Sequence, residues 1–301
     1  MQLLNNTNID FISKTKVTFF ISLAIILLGI GSLIIKKGPN LSIDFVGGTV
    51  IQVATSKEVN INELRDLLSK TILKKSEVTE ITGLNINQQF RIKTNLRIES
   101  TTEISNTILE SLANYNPEIR AIESVGPKVG KELQSQAIYA IGLALLMLMI
   151  YIGFRFDRFY ALGSVLAIIH DVLFTLSIFS ILQLEIDLSI VAAFLTIVGY
   201  SLNDTIVIFD RFRENSEKDL DLELNELANL SLNQTLSRTI ITSLTTLVVV
   251  IILYYIGGEV IKYFAFALII GVIIGTYSSI FVASPIMIYL ENKAGQKLTN
   301  K

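Results

Sequence analysis

Six long apolar stretches constrain this chain more than any other feature of its sequence. A helix that crosses a membrane needs about 20 consecutive, mostly apolar residues. Six segments meet that requirement: 17–35, 136–154, 159–182, 188–209, 239–256 and 263–290. The composition agrees, because 51% of the residues are hydrophobic and 17% are charged, against roughly 25% charged residues in soluble domains. The sequence therefore predicts an α-helical membrane protein with a bundle of six transmembrane helices.

Lysine and arginine residues beside these stretches predict the orientation, since the cytoplasmic flanks of membrane helices are enriched in them. On the side of the two termini the short flanking segments carry Lys14, Lys16, Arg155, Arg158, Arg211, Arg213, Lys218, Arg238, Lys293, Lys297 and Lys301. The opposite short loops carry Lys262, and Lys36 and Lys37 are local exceptions. The first stretch is longer than the apolar core of a signal peptide, so we expect it to remain as an anchor. Both termini are predicted to be cytoplasmic.

The segment between the first two stretches has the composition of a folded domain outside the membrane. Its pattern predicts strand, helix, strand, strand, helix and strand over 42–54, 60–73, 77–84, 89–96, 102–115 and 119–125. This βαββαβ order is typical of a ferredoxin-like α+β unit. The predicted organisation is a first helix within 1–36, an extracytoplasmic (periplasmic) domain at 37–134, five further helices at 135–290 with a cytoplasmic loop at 210–238, and a cytoplasmic tail at 291–301.

Several function classes are disfavoured by what the sequence lacks. It has no cysteine and one histidine, which argues against disulfides, thiolate metal sites and metal binding in general. A formal net charge of −2 gives no reason to expect a nucleic-acid partner. Neither a phosphate-binding glycine loop nor a nucleophile elbow is present. We therefore predict neither an enzyme nor a cofactor.

A carboxylate lies inside the fourth apolar stretch. A charge at membrane depth costs about 2.5 kcal/mol or more, so such a residue is by default a functional candidate. Asp204 shares a helix face with Tyr200, and Asn203 and Thr205 flank it. Burial disfavours the charged form of a carboxyl and a nearby cation favours it, so Asp204 can exchange a proton if its surroundings change. The alternative is a structural carboxyl bonded to Ser, Thr or Asn.

The expected cation is Arg238, which begins the fifth stretch at a similar depth. Its alternative role is that of an interfacial residue whose charge reaches back to the headgroup layer. His170 and Asp171 lie deeper, about 15 to 18 Å along the third stretch by helical rise. This pair is either part of a proton path, because histidine titrates near neutral pH, or a source of hydrogen bonds between helices.

Charged and small residues complete the pattern of the membrane segment. The residues Asp210, Arg211, Arg213 and Glu214 have the spacing of a cytoplasmic charge cluster on one helix, and 217–230 has the pattern of an amphipathic surface helix. Ala267, Gly271, Gly275 and Ser279 recur every four residues and predict close helix packing. Pro285 is expected to kink the end of the last helix.

Four short motifs carry a resemblance to a known family. They are IDF at 9–11, DFVGGT at 44–49 (Asp44, Phe45, Gly47, Gly48 and Thr49 among them), SVGPKVG at 124–130 and GYSLNDTIVIFDRFREN at 199–215. Together they resemble the SecF branch of the SecD/SecF family of protein-export membrane proteins, within the resistance-nodulation-division superfamily. In DFVGGT the glycine pair alternatively marks only a tight turn before a strand.

The resemblance implies a function in protein export. It implies that Asp204 and Arg238 take part in proton transport, and that the protein works with SecD, a separate chain, at the SecYEG channel, with YajC and the insertase YidC as further partners. It also implies use of the proton-motive force for late, SecA-independent steps of moving unfolded preproteins across the inner membrane. A proton-coupled small-molecule exporter of the same superfamily and a non-motor scaffold of the translocon remain as alternatives.

Overall fold

The computed structural model of the chain describes residues 7–74, 76–81, 88–94, 101–218 and 222–299. It divides into two compact units, one comprising Leu41–Ile138 and the other Met1–Asn40 with Tyr139–Lys301. The second unit begins with helix α1 (Thr15–Ile35), which a short 3₁₀ turn (Ile12–Lys14) precedes.

The Leu41–Ile138 unit is a small α+β domain. Its elements are α2 (Ile43–Val46), β1 (Gly48–Thr55), α3 (Ile61–Ser69), β2 (Glu77–Ile81), β3 (Gln88–Thr94), α4 (Thr101–Ser111) and β4 (Pro117–Val125). The four strands form one sheet in the order β2-β3-β1-β4, and each neighbouring pair is antiparallel. This topology confirms the predicted ferredoxin-like fold. The predicted strand ends at 82–84 and 95–96 lie outside the described residues.

Alternation along the strands and helical spacing in α3 and α4 create one apolar core. Every second residue of β1 and β3 faces the two helices, and the fully buried side chains include Ile51, Phe90, Ile92, Leu64, Leu68, Ile104 and Ile108. Burying a side chain of this size contributes about 1.5–3 kcal/mol. The core therefore follows from the periodicities that predicted the elements.

The predicted first strand begins too early. Residues 42–54 were expected to be extended, but Ile43–Val46 form helix α2 and the strand starts at Gly48. Ser42 caps this helix, because its hydroxyl accepts a hydrogen bond from the backbone N–H of Asp44 at 3.2 Å. Gly47 and Gly48 then adopt φ angles of 79° and 138°, which residues with a Cβ rarely adopt. The glycine pair thus makes the turn from helix to strand.

Two of the sequence motifs contact each other in this unit. A Cβ added at Gly47 would lie 2.9 Å from the Cα of Pro127, and one added at Gly130 would lie 2.8 Å from the carbonyl oxygen of Phe45. The DFVGGT and SVGPKVG motifs therefore pack backbone against backbone. Their glycines permit this close approach.

The remaining helices carry the other candidate membrane spans. They are α5 (Pro127–Arg155), α6 (Arg158–Ile181), α7 (Leu188–Ser216), α8 (Leu224–Ile256), α9 (Glu259–Ser278) and α10 (Ser284–Thr299), with a π-helix (Ser279–Ala283) joining the last two. Within the described ranges six helical segments are long and apolar enough to cross a membrane, α9, the π-helix and α10 counting as one. The predicted six-helix bundle is confirmed.

The predicted separate surface helix at 217–230 is wrong, whereas the cytoplasmic position of 210–238 stays a prediction. Helix α7 continues to Ser216 and α8 already begins at Leu224, so 217–230 is not a separate helix and 210–238 is mostly helical; Leu220, in the predicted apolar stripe, lies outside the described residues. A capping box formed by Glu223 and Glu226 starts α8, satisfying backbone N–H groups at the helix end. Asn215 of α7 then donates to Ser231 at 3.0 Å.

Three segments form the interior of the bundle. About half of the membrane-length windows of α6, α7 and α9–α10 is buried, whereas α1, α5 and α8 bury 17%, 6% and 11%. The close packing predicted for the glycine stripe is present: a Cβ at Gly271 would lie 2.2 Å from Ile197 of α7, and one at Gly275 would lie 3.1 Å from the Cβ of Ser201. The α7–α9 seam, defined by these four residues, therefore depends on small side chains.

The contact between the two motifs predicts a destabilised Gly130→Ala variant. The added methyl group would overlap the Phe45 carbonyl, and overpacking of this kind costs about 1–3 kcal/mol. Gly142→Ala is the matched control, because Gly142 lies in the same helix and its added methyl group would meet no atom within 4 Å. We expect a lower thermal unfolding midpoint for Gly130→Ala only. Equal midpoints in the two variants would contradict the packing described.

Candidate functional site

Asp204 is a buried carboxylate with little hydrogen bonding. It lies on α7 and is 3% exposed. Ser243 of α8 donates to it at a long 3.5 Å from Ser243 Oγ to Asp204 Oδ2, and the Thr276 hydroxyl of α9 is a second hydrogen-bonding neighbour. Ser243 Oγ also lies 2.6 Å from Thr276 Oγ1 of α9, and Thr276 donates to the backbone carbonyl of Val272. The two hydroxyl hydrogens of Ser243 and Thr276 must therefore serve their mutual contact, the Val272 carbonyl and Asp204, and they cannot satisfy all of these at once.

Arg238 acts on Asp204 through its charge. Its guanidinium is exposed on α8, about one and a half turns before Ser243, and it interacts electrostatically with the Asp204 carboxylate. Among the described residues Arg238 forms no ion pair within 4.0 Å. Asp204 and Arg238 therefore lie in one region of the bundle without direct contact. Their attraction becomes stronger as water is excluded from the space between them.

The other residues predicted near Asp204 differ in position. Asn203 is exposed and points away from the buried face of α7, because adjacent helical residues point about 100° apart. Thr205 donates to the carbonyl of Ser201 in its own helix at 3.2 Å. The Tyr200 hydroxyl is buried and has no hydrogen-bond partner among the described residues. Asn203 therefore does not share the buried face of α7 with Asp204, and its predicted role stays a prediction.

Asp171 is the centre of a second, better-bonded cluster. It is 0% exposed on α6, and its Oδ2 accepts hydrogen bonds from Ser201 of α7 at 2.6 Å and from Ser278 of α9 at 2.7 Å. His170 Nδ1 lies 3.0 Å from Oδ1. Three helices therefore meet at one carboxylate. Neither serine was predicted from the sequence as part of a site, although Ser201 lies one turn before Asp204.

The His170 ring is enclosed by aromatic side chains. It stacks on Tyr277 with ring centroids 6.0 Å apart, and Phe174 lies at 6.1 Å. Tyr277 in turn donates its hydroxyl hydrogen to the Thr18 carbonyl of α1 at 2.5 Å. His170 Nε2 is buried and has no hydrogen-bond partner in the described part of the chain. No three His, Asp or Glu side chains come together there as metal ligands.

The charged residues of the family motif near the end of α7 form ion pairs. Asp210 lies 3.1 Å from Arg155 of α5 and 3.8 Å from Arg213. Arg211 pairs with Glu214 at 2.8 Å. All these side chains are at least one-third exposed, so each pair contributes only about 0–1 kcal/mol. Of the two neighbouring pairs predicted from the sequence, Asp210–Arg213 is present, whereas Glu214 pairs with Arg211 instead of contacting Asp210. Arg155, which comes from another helix, was not predicted.

The IDF motif docks the N-terminal segment onto α8. Asn229 donates to Asp10 Oδ1 at 2.8 Å and accepts from the backbone N–H of Phe11 at 2.9 Å. Asn233 both accepts from Ile9 N–H and donates to the Ile9 carbonyl, each at 2.9 Å. The Phe11 side chain is buried beside Phe281. Two asparagines one turn apart therefore hold a segment that precedes them by more than 200 residues.

Acid weakens this docking only at low pH. The backbone N–H of Ser13, followed by the Ser13 hydroxyl and the Asn229 amide, lowers the pKa of Asp10 below its ordinary value of 3.8. A lowered pKa in the folded state stabilises the contact above the unfolded value and withdraws that contribution as the pH falls through the lowered pKa. The contribution of the ionised Asp10 carboxylate to the docking is therefore fully present at neutral pH.

Comparison with known families shows similarity along the whole chain. The family described as "Protein export membrane protein SecD/SecF, C-terminal" matches residues 104–293, and the "SecD/SecF GG Motif" matches residues 32–59. The protein translocase subunit SecF of Rhodothermus marinus is 43% identical over 303 residues, covering 99% of this chain and 98% of its own. That of Haemophilus influenzae is 42% identical over 274 residues, covering 91% of this chain and 83% of its own.

Two solved structures of SecDF are also similar. The crystal structure of SecDF from Thermus thermophilus, described as a translocon-associated membrane protein, aligns with a TM-score of 0.83 and 35% identity over 95% of this chain. SecDF in its super-membrane-facing form aligns with a TM-score of 0.74 and 34% identity over 100% of this chain. This chain spans 39% and 41% of the length of those two proteins.

Removing the asparagine clamp should release the N-terminal segment. In Asn229→Ala the side chain no longer bonds Asp10, Phe11 or Ile12. We expect faster cleavage near residues 9–14 by added protease in detergent, measured by mass spectrometry. Asn225→Ala is the control, because Asn225 is exposed one turn earlier on the same helix. Equal cleavage rates in the two variants would show that the clamp does not hold the segment.

Proposed function

Since this chain belongs to the SecD/SecF family of protein-export membrane proteins, and is similar over its full length to SecF translocase subunits, we propose that it uses the proton-motive force to assist preprotein translocation. In this proposal it acts in late steps that no longer depend on the ATPase SecA. The six apolar helices and the full-length similarity to SecF subunits support a multi-pass membrane protein of the export family.

The observation that carries the proposal is the weak hydrogen bonding of the buried Asp204 carboxylate. A carboxylate at membrane depth is costly unless its oxygens are well bonded or paired. Asp204 has a long hydrogen bond from Ser243, a neighbouring Thr276 hydroxyl and a guanidinium charge nearby. Binding a proton removes the charge and turns one carboxyl oxygen into a donor. Such a group can gain and lose a proton without first breaking a strong network.

Proton exchange at Asp204 would change contacts among three helices. While Asp204 is ionised, it competes with Thr276 for the Ser243 hydrogen; once protonated, it can itself donate to a hydroxyl oxygen. Asp204, Ser243 and Thr276 belong to α7, α8 and α9 respectively. A proton moving through 100 mV releases about 2.3 kcal/mol, which is the size of a few hydrogen bonds. The gradient can therefore bias the packing of these helices, and in this proposal that movement drives the outer domain.

The proposed partners follow from the family. SecDF of Thermus thermophilus is more than twice as long as this chain, and we take SecD as a separate chain to provide the corresponding remainder. The large exposed apolar side chains of α5 and α8 offer surfaces for a second bundle or for lipid. SecYEG, YajC, YidC and unfolded preprotein complete the proposed assembly in the inner membrane, with both termini cytoplasmic and the Leu41–Ile138 unit on the other side.

Export into sealed inner-membrane vesicles tests the proposal. With SecD present, Asp204→Asn keeps the size of the side chain but cannot exchange a proton, and Arg238→Ala removes the charge that acts on it. We expect both variants to export preprotein at the rate that the wild type shows without a proton gradient. The measurement is the amount of protease-protected preprotein with and without a gradient.

Thr196→Val is the matched control for these variants. Thr196 is exposed on α7, two turns before Asp204, and within the described part of the chain its hydroxyl bonds the Ala192 carbonyl in its own helix. It should retain gradient-dependent export. If Asp204→Asn assembles with SecD and still responds to the gradient as the wild type does, the protein is a scaffold and Asp204 is a structural residue.

A further inference from the structure

Asp171 is a buried carboxylate that the proposed proton exchange does not use. Its Oδ2 accepts two short hydrogen bonds, from Ser201 and Ser278, and its Oδ1 faces His170 Nδ1. Both oxygens are therefore occupied by short contacts, whereas Asp204 has a long hydrogen bond from Ser243 and shares the Ser243 and Thr276 hydroxyls with other acceptors. A proton that reached Asp171 would have to weaken these contacts, and hydrogen bonds to a charged group are the stronger kind. This geometry suits a group that holds helices in place.

The two serines lie next to the residues that surround Asp204. On α7, Ser201 precedes Asp204 by three residues, so their side chains lie on one face a turn apart. On α9, Ser278 follows Thr276 by two residues, and Thr276 contacts the donor of Asp204, Ser243. Asp171 thus binds both helices of the α7–α9 seam within about one turn of Asp204.

The backbone at the seam leaves little freedom for these contacts to shift. Gly275 lies so close to Ser201 that an added Cβ would be 3.1 Å from the Ser201 Cβ. The π-helix begins at Ser279, directly after Ser278, and Ser284 donates to the Ser279 carbonyl at 2.8 Å. π-helical turns inside α-helices are frequent at functional sites. The Ser278–Asp171 bond therefore fixes α9 at the point where its backbone geometry changes.

We infer that Asp171 is a positioning residue: through Ser201 and Ser278 it sets the spacing of α7 and α9 and so the surroundings in which Asp204 exchanges its proton. This inference rests on the proposed function in one respect, that Asp204 exchanges a proton. His170 supports the same role by occupying the remaining oxygen of Asp171, while Tyr277 connects the ring to α1.

Other charged and titratable groups near Asp204 also influence the pH at which it exchanges its proton. On the described helices they are Tyr200 on α7, Arg238 on α8, Tyr277 on α9 and the His170–Asp171 pair on α6. The test therefore removes only the two serine hydroxyls and leaves all of these groups in the chain.

Infrared difference spectroscopy of the full chain with SecD in lipid nanodiscs tests the inference. The carboxyl band of Asp204 is identified by its loss in Asp204→Asn, and its midpoint is followed against pH. In the double variant Ser201→Ala with Ser278→Ala, we expect the midpoint to move by about one pH unit, a common size for an environmental shift. Asp171→Asn, which keeps the side-chain volume, should move it as well.

Thr175→Val is the matched control. Thr175 is buried on α6 near Asp171, but its hydroxyl bonds the Asp171 backbone carbonyl within the same helix at 2.8 Å. In Thr175→Val the Asp204 carboxyl band should titrate at the same midpoint as in the wild type. The thermal unfolding midpoint is measured for every variant as well. It detects a general loss of stability, which would not by itself move the titration midpoint of Asp204.

The possible outcomes separate the two proposals. An Asp204 band that titrates at the wild-type midpoint in the double variant and in Asp171→Asn would overturn the inference alone. Absence of any titrating Asp204 band would overturn the proton exchange and the inference with it. A displaced midpoint together with wild-type export by Asp204→Asn would support the positioning role and refute the motor function.

Discussion

The hydrocarbon interior of a membrane contains no water to hydrogen-bond a polar group, and the bundle is organised around that constraint. Each buried polar atom has to find its partner within the protein. Asp171 meets the requirement with donors from two neighbouring helices and the adjacent histidine. Asp204 meets it only in part. The difference between the two carboxylates separates a group that holds the bundle from a group that can change its charge.

Close helix packing makes this arrangement possible. Gly271 and Gly275 bring α9 against α7, and only at that distance do Ser201 and Ser278 reach the same oxygen of Asp171. A larger side chain at either glycine would separate the helices and remove these donors. Small residues and polar residues therefore act together here, since the first allow the approach that the second require.

The sequence predicted those parts of the structure that depend on periodicity and on charge. Apolar length located six helices, and alternation located the strands of the outer domain. Asp204 was singled out because a charge inside an apolar stretch is conspicuous, and Arg238 because it begins the fifth stretch at a similar depth; their roles in proton transport stay a prediction. Ser201 and Ser278 were missed because a serine in a membrane helix commonly bonds its own backbone, and only the register between helices shows otherwise. The start of α8 was predicted too late in the sequence because Glu223, an unusual residue for a helix start, forms the capping box of this helix.

The docking of the N-terminal segment has a consequence for biosynthesis. Ile9 and Asp10 are bound by side chains that follow them by 224 and 219 residues. At about 5–20 residues per second, a ribosome needs on the order of ten seconds or more to reach Asn229 after it has made Asp10. During that interval the first residues have no binding site, and α1 crosses the membrane without this tether. A docked N-terminus is therefore found only in a chain that has been synthesised at least as far as the first turns of α8.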